Sequence, residues 1–213
     1  MSCMRGITMR TLLVSLCLLA SVTLARAQTP SVEFDGQVYY LAYEDETGLP
    51  KGPPGNGLAE FTLEGETLDN WTKLFAFHAY PSLLDSPVQA ASDLGRVLKQ
   101  VNKDANYALT EDKETGDAII DFLTWAPGSE VMEFNVFKYS RAGLRPGLVA
   151  LQFAQRFKLG TYSVEAFRRL RERAVENMAG TDVTQVRAYF AAKAKETGIA
   201  GPAASSARAG IDR

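Results

Sequence analysis

The segment from Asp117 to Trp125 constrains the fold more than any other part of the chain. Read as a strand, it sends Ala118, Ile120 and Phe122 to one side and Ile119, Leu123 and Trp125 to the other, because side chains alternate along an extended backbone. Apolar residues on both sides of one strand predict a sheet that is covered on both faces at that point. The flanks supply its neighbours. Tyr107 to Asp112 reads as a strand that turns at Glu114-Thr115-Gly116, and after Pro127-Gly128 the run Val131 to Tyr139 reads as another. A loop from Arg141 to Gly147 follows, then a long strand, Leu148 to Leu159, with Val149, Leu151, Phe153, Phe157 and Leu159 on its buried side. Such a meander needs helices or a second layer on each side.

The rest of the chain fits around that meander. After a short polar leader, Gln37 to Tyr43 reads as an aromatic-rich strand, and Leu58 to Leu63 and Trp71 to Tyr80 as two more. Between the first two, Glu44 to Gly57 holds Gly48, Pro50, Gly52, Pro53, Pro54 and Gly55, a composition that predicts a long irregular loop. Ser86 can cap a helix, Pro87 suits its first position and Gln89 can complete a capping box. Ala91, Leu94, Leu98 and Val101 then recur at steps of three and four. A second helix runs from Ser163 to about Met178, with Val164, Phe167, Leu170, Ala174 and Met178 inward, and Gly180 closes it. A third runs from Thr184 to Thr197. The expected fold class is α+β: an antiparallel sheet of about six to seven strands with helices packed on both faces. It forms one domain over residues 28–198, and residues 199–213 read as a disordered tail.

Residues 1–27 have the three parts of a cleavable secretory signal. Arg5 and Arg10 make a basic leader, Thr11 to Leu24 is uncharged and apolar, and Ala25-Arg26-Ala27 sets small residues before a cut between Ala27 and Gln28. The apolar run is shorter than the ~20 residues that span a bilayer core, so a retained anchor is disfavoured. The expected localisation is periplasmic or secreted, through a Sec-type route, with no stable membrane insertion after cleavage. Cleavage would remove both cysteines, Cys3 and Cys17, and three arginines, leaving 20 basic residues against 25 acidic ones, a net charge of −5. The mature chain then has no disulfide or thiol chemistry and must be held by an apolar core. Its acidity argues against nucleic acid as a partner.

The order of strands and helices, together with the run Glu60-Phe61-Thr62-Leu63-Glu64-Gly65-Glu66-Thr67-Leu68-Asp69-Asn70-Trp71-Thr72, resembles exported bacterial proteins with a PsbP-like α/β sandwich. The resemblance covers roughly residues 37–180. It implies a binding or assembly role, the common property of that fold group.

Tests for chemistry single out no catalytic, cofactor-binding or metal-ligating set. The chain has one histidine, His78; no Gly-x-Ser-x-Gly elbow accompanies it, and one His without Cys is a poor zinc site. His78 reads as an ordinary sheet residue rather than a base. Asp117 and Asp121 share one strand face, but about 13 Å separates residues four apart at ~3.3 Å per residue, beyond the roughly 5 to 9.5 Å of glycosidase pairs. They are expected to meet basic residues such as Lys138 or Arg156. The run Asp112 to Asp117 fails the EF-hand spacing, because Gly116 sits where a ligand is required, and reads as a hairpin turn. Asn70-Trp71-Thr72 matches a glycosylation sequon, which has meaning only in a eukaryote. Charge is uneven: seven acids between Glu44 and Asp69 face only Lys51, whereas the Ser163 helix carries Arg168, Arg169, Arg171 and Arg173.

The expected function is that of an exported, non-catalytic binding or accessory protein of the bacterial cell envelope. Its expected partner is another envelope protein or a small ligand, with antagonism of a delivered toxin as one form, and no cofactor is expected. The alternatives are a periplasmic hydrolase using carboxylates gathered from several strands and a lipid-carrying module. Convergent carboxylates or His78 in a deep cleft would favour the enzyme, an exposed aromatic patch the binding protein, and an apolar cavity the carrier.

Overall fold

The computed structural model describes residues 29–45, 56–126, 128–143 and 146–196. The leader, the cut between Ala27 and Gln28, both cysteines, most of the Gly/Pro-rich loop and the tail lie outside the described residues. Eight strands form one sheet: β1 (Ser31–Phe34), β2 (Gln37–Glu44), β3 (Gly57–Leu63), β4 (Lys73–Tyr80), β5 (Tyr107–Glu111), β6 (Ala118–Trp125), β7 (Val131–Arg141) and β8 (Leu148–Lys158). Three helices accompany them: α1 (Pro87–Val101), α2 (Val164–Gly180) and α3 (Thr184–Glu196). The strand order is β1-β2-β3-β4-β8-β7-β6-β5, and every pairing is antiparallel. Two four-stranded meanders therefore meet at the β4–β8 seam, with α1 carrying the chain from one to the other.

The expected PsbP-like sandwich of six to seven strands with helices packed on both faces is corrected. The molecule is a single eight-stranded sheet, mostly strand, with three helices against parts of it. The extra strand is β1, which lies in the stretch expected to be a polar leader. Its register, Phe34 opposite Gln37, leaves Asp35 and Gly36 as a two-residue turn. Both have positive φ, 50° and 68°, the backbone of the type I′ turn that suits strand twist and favours Asp-Gly.

The helices form where their caps allow. Ser86 Oγ accepts from Gln89 N at 3.2 Å ahead of Pro87, and Ser163 Oγ accepts from Ala166 N at 3.1 Å. α1 sets Ala90 and Ala91 on Ala118, Ile120, Phe122, Tyr139, Leu148 and Ala150. α2 and α3 set Leu170, Ala174, Met178 and Val186 into the larger cluster built on Phe34, Phe61, Phe75, Phe77, Phe134 and Phe153. Within that cluster Phe34 lies 4.9 Å from Phe75 and 5.0 Å from Phe153, ring centre to ring centre. Two residues expected on inner helix faces, Val101 and Val164, are instead exposed, because each stands at a helix end beyond the reach of the sheet. No helix among the described residues is long and apolar enough to cross a membrane.

Candidate functional site

Strand β2 decides what the first meander shows to solvent. Its residues alternate until Leu41, which pairs with Phe61; then Tyr43, not Ala42, pairs with Glu60. This β-bulge inserts one residue and resets the side-chain phase. Tyr40 and Tyr43 thereby reach the same face, while Glu44, opposite Ala59, turns to the phenylalanine side. There Glu44 accepts from the Tyr189 hydroxyl of α3 and meets Lys193 Nζ at 2.9 Å. On the other face Val38, Tyr40 and Tyr43 are 45%, 37% and 43% exposed, because α1 packs over the second meander. The helix-free half of that face thus carries an aromatic stripe.

Beside the stripe stands Glu60, flanked by Tyr43 on β2 and Ala76 on β4. It is half-buried and makes no hydrogen bond or ion pair among the described residues. Burial, reinforced by the Glu133 charge, holds its carboxyl above the usual range.

A polar chain crosses the seam on the same face. His78 Nε2 lies 2.9 Å from Gln152 Oε1, Gln152 Nε2 donates to Asn135 Oδ1 at 2.8 Å, and Asn135 Nδ2 donates to Glu133 Oε1 at 3.1 Å. Arg156 Nε closes the chain on Glu133 Oε2 at 3.3 Å, and its guanidinium lies 3.7 Å above the Trp71 ring. Because Gln152 uses its amide on Asn135, its oxygen must accept, which places the His78 proton on Nε2. Burial lowers the His78 pKa from 6.5 to about 4, so the ring is neutral at neutral pH. Each member of this chain is satisfied by the next, and Glu133 is already held by a cation and an amide. The chain ends at a groove of ≈690 Å³ lined by Trp71, Trp125, Glu133 and Arg156, among others.

The residues raised by the sequence fall in different places. His78 lies in β4, within this chain. Asp117 meets Lys138 at 3.7 Å, as expected. Asp121 does not meet Lys138 or Arg156; Arg171 of α2 grips it through two bonds of 2.6 and 2.9 Å. Lys138 donates to the carbonyls of Ala179 and Thr181, 2.9 Å each, at the C-terminus of α2. Asp112 is the pivot of a hairpin turn, its carboxylate accepting from the backbone N–H of Glu114 and the hydroxyl of Thr115. The residues that local reading missed are Glu60, Glu133, Asn135 and Gln152. The available signal was a scatter of polar residues inside otherwise apolar strands, alternating only at Glu133 and Asn135.

No curated protein and no solved structure matches the chain. A family model does match, over residues 27–183, and the chain belongs to that family, whose function is uncharacterised.

Proposed function

We propose that this chain is an exported, non-catalytic binding protein of the bacterial cell envelope, and that the open face of the first meander is its contact surface. The observation that carries the reading is the exposed stripe of Val38, Tyr40 and Tyr43 beside the unpaired Glu60. Tyrosines of this kind offer a large contact area at low entropic cost and a hydroxyl for orientation. Export is supported by the three-part leader at residues 1–27, and the partner proposed is another envelope protein. The hydrolase alternative has one point in its favour, since Glu60 and Glu133 share a face and Glu133 raises the Glu60 pKa. Against it, Glu133 is engaged by Arg156 and Asn135.

The test is comparative capture from envelope extracts. The wild-type chain is expected to retain a reproducible partner that the double variant Tyr40→Ser, Tyr43→Ser loses, with both proteins melting at the same temperature. Undiminished capture by the double variant would remove the open face as the contact surface.

A further inference from the structure

We propose that the open face docks a cationic polypeptide segment, with a lysine or arginine of the partner seated on Glu60 between Tyr40 and Tyr43. This inference rests on the binding reading above and names the chemistry of the partner.

Three observations support it. First, Tyr43 is the direct cross-strand partner of Glu60, and Tyr40 stands opposite Thr62, one pair further along the same face. Direct partners have Cβ atoms about 4.5–5.5 Å apart and diagonal ones about 7–8 Å, so two phenol rings flank one carboxylate. On its other side its cross-strand neighbour is Ala76, whose side chain is a single methyl. A cation gains from both elements: the carboxylate supplies charge and the ring faces supply quadrupole attraction. Second, the charge that the described residues of β1–β4 bring to this face is of one sign, and the Arg156 guanidinium of β8 on the same face is already held by Glu133. The only basic residue in β1–β4 is Lys73, and its ammonium bonds Gln37 Oε1 on the opposite, phenylalanine-bearing face. Glu33, opposite Val38, adds a second acid to the tyrosine face. Third, Glu60 stays unpaired although it is half-buried, an arrangement that costs stability in the free protein. An incoming ammonium or guanidinium would supply the missing partner.

The same features disfavour other occupants. A second copy seated on this face would bring Glu60 against acids of its own kind, and like charges across an interface are repulsive. A calcium ion needs six or more oxygen ligands, and no cluster of metal-ligating side chains occurs among the described residues.

The experiment titrates the full chain with an oligolysine peptide, an oligoglutamate peptide of the same length, and spermine, followed by calorimetry. The expected result is binding of oligolysine, weakened about tenfold or more by Glu60→Gln and by Tyr40→Ser with Tyr43→Ser, while Glu165→Gln on the distant helix α2 has no effect. Oligoglutamate should not bind. Glu60→Gln should melt no lower than wild type, because it removes an unpaired charge and breaks no contact; that separates recognition from a structural role. Equal oligolysine affinity of wild type and Glu60→Gln overturns the proposal. Spermine binding with the same Glu60 dependence and no preference for the peptide also overturns it, in favour of a small amine. Envelope capture that depends on Tyr40 and Tyr43 but not on Glu60 would keep the binding face and reject the cationic partner. Capture that ignores all three residues would reject the face itself.

Discussion

His78 shows how far one side chain's behaviour follows from its surroundings. The chain's single histidine donates through Nε2 to Gln152, stacks on Tyr80 at 5.9 Å and lies 5.6 Å from Phe137. Removing the ring from water penalises its charged form, and the hydrogen bond to Gln152 offsets only part of that, leaving a pKa of about 4. The sign of the stability effect follows. The unfolded chain takes up this proton near pH 6.5 and the folded one only near 4, so the contribution is complete above the higher value and is lost as pH falls through the interval. The full span corresponds to about 3 kcal/mol. Because there is one imidazole, its NMR signals are unambiguous: they should titrate with a midpoint of about 4. Urea unfolding should show wild type losing its advantage over His78→Gln between those two pH values. A midpoint near 6.5 would show that the ring is solvated in the native state and would remove the argument.

At the scale of elements, helix α2 turns most of its arginine charge to internal use. In the sequence this helix stands out by its four closely spaced arginines. In the fold, Arg168 and Arg169 meet Glu165, Arg171 meets Asp121, and Arg173 meets Asp35 on the β1–β2 turn. The pair that fixes the helix to the sheet is unequal, since the Asp121 side chain is 8% exposed and that of Arg171 is 40%. The two deletions should therefore differ. Arg171→Ala strands a buried carboxylate and should cost about 3 kcal/mol, whereas Asp121→Asn leaves a guanidinium that can turn to water, at a cost of about 1 kcal/mol. Equal shifts in urea midpoint would mean that Asp121 is not desolvated as its position implies. The helices themselves were legible, because Ser86-Pro87 and Ser163 state their starts in local chemistry. Strand β1 was not recognised, since four residues alternate too briefly to register as a period. Its readable sign was the Asp35-Gly36 pair followed by Val38 and Tyr40. The bulge at Ala42 had no local sign at all, as neither glycine nor proline marks it, and the Tyr40–Tyr43 stripe depends on it.

At the scale of the whole molecule, the decisive fact is the β4–β8 seam, which joins Phe75 to Phe153 and Ala76 to Gln152 across a long sequence separation. No local pattern states that β4 pairs with β8 rather than with β5; that follows from α1 packing over the second meander and returning the chain to its far edge. For the same reason the chain from His78 through Gln152, Asn135 and Glu133 to Arg156 was invisible in one dimension: its members come from three strands and appear in the sequence as scattered polar positions. The seam also implies that the two meanders unfold together. Phe153 stands between Phe75 of β4 and Val136 of β7, is 1% exposed, and lies against the Phe34 ring of β1. Its truncation therefore removes packing from both halves at once. Phe153→Ala should cost about 3–5 kcal/mol, and native-state hydrogen exchange should register that loss on both sides of the seam. Slowly exchanging amides of β3 and β4 and those of β6 and β7 are expected to lose protection by the same factor, about a hundredfold or more, since each ~1.4 kcal/mol is tenfold. If the meanders were separate cooperative units, one set would retain its protection while the other collapsed. Loss confined to β8 and one neighbour would refute a single unit, and the sheet would then be two meanders in contact rather than one structure.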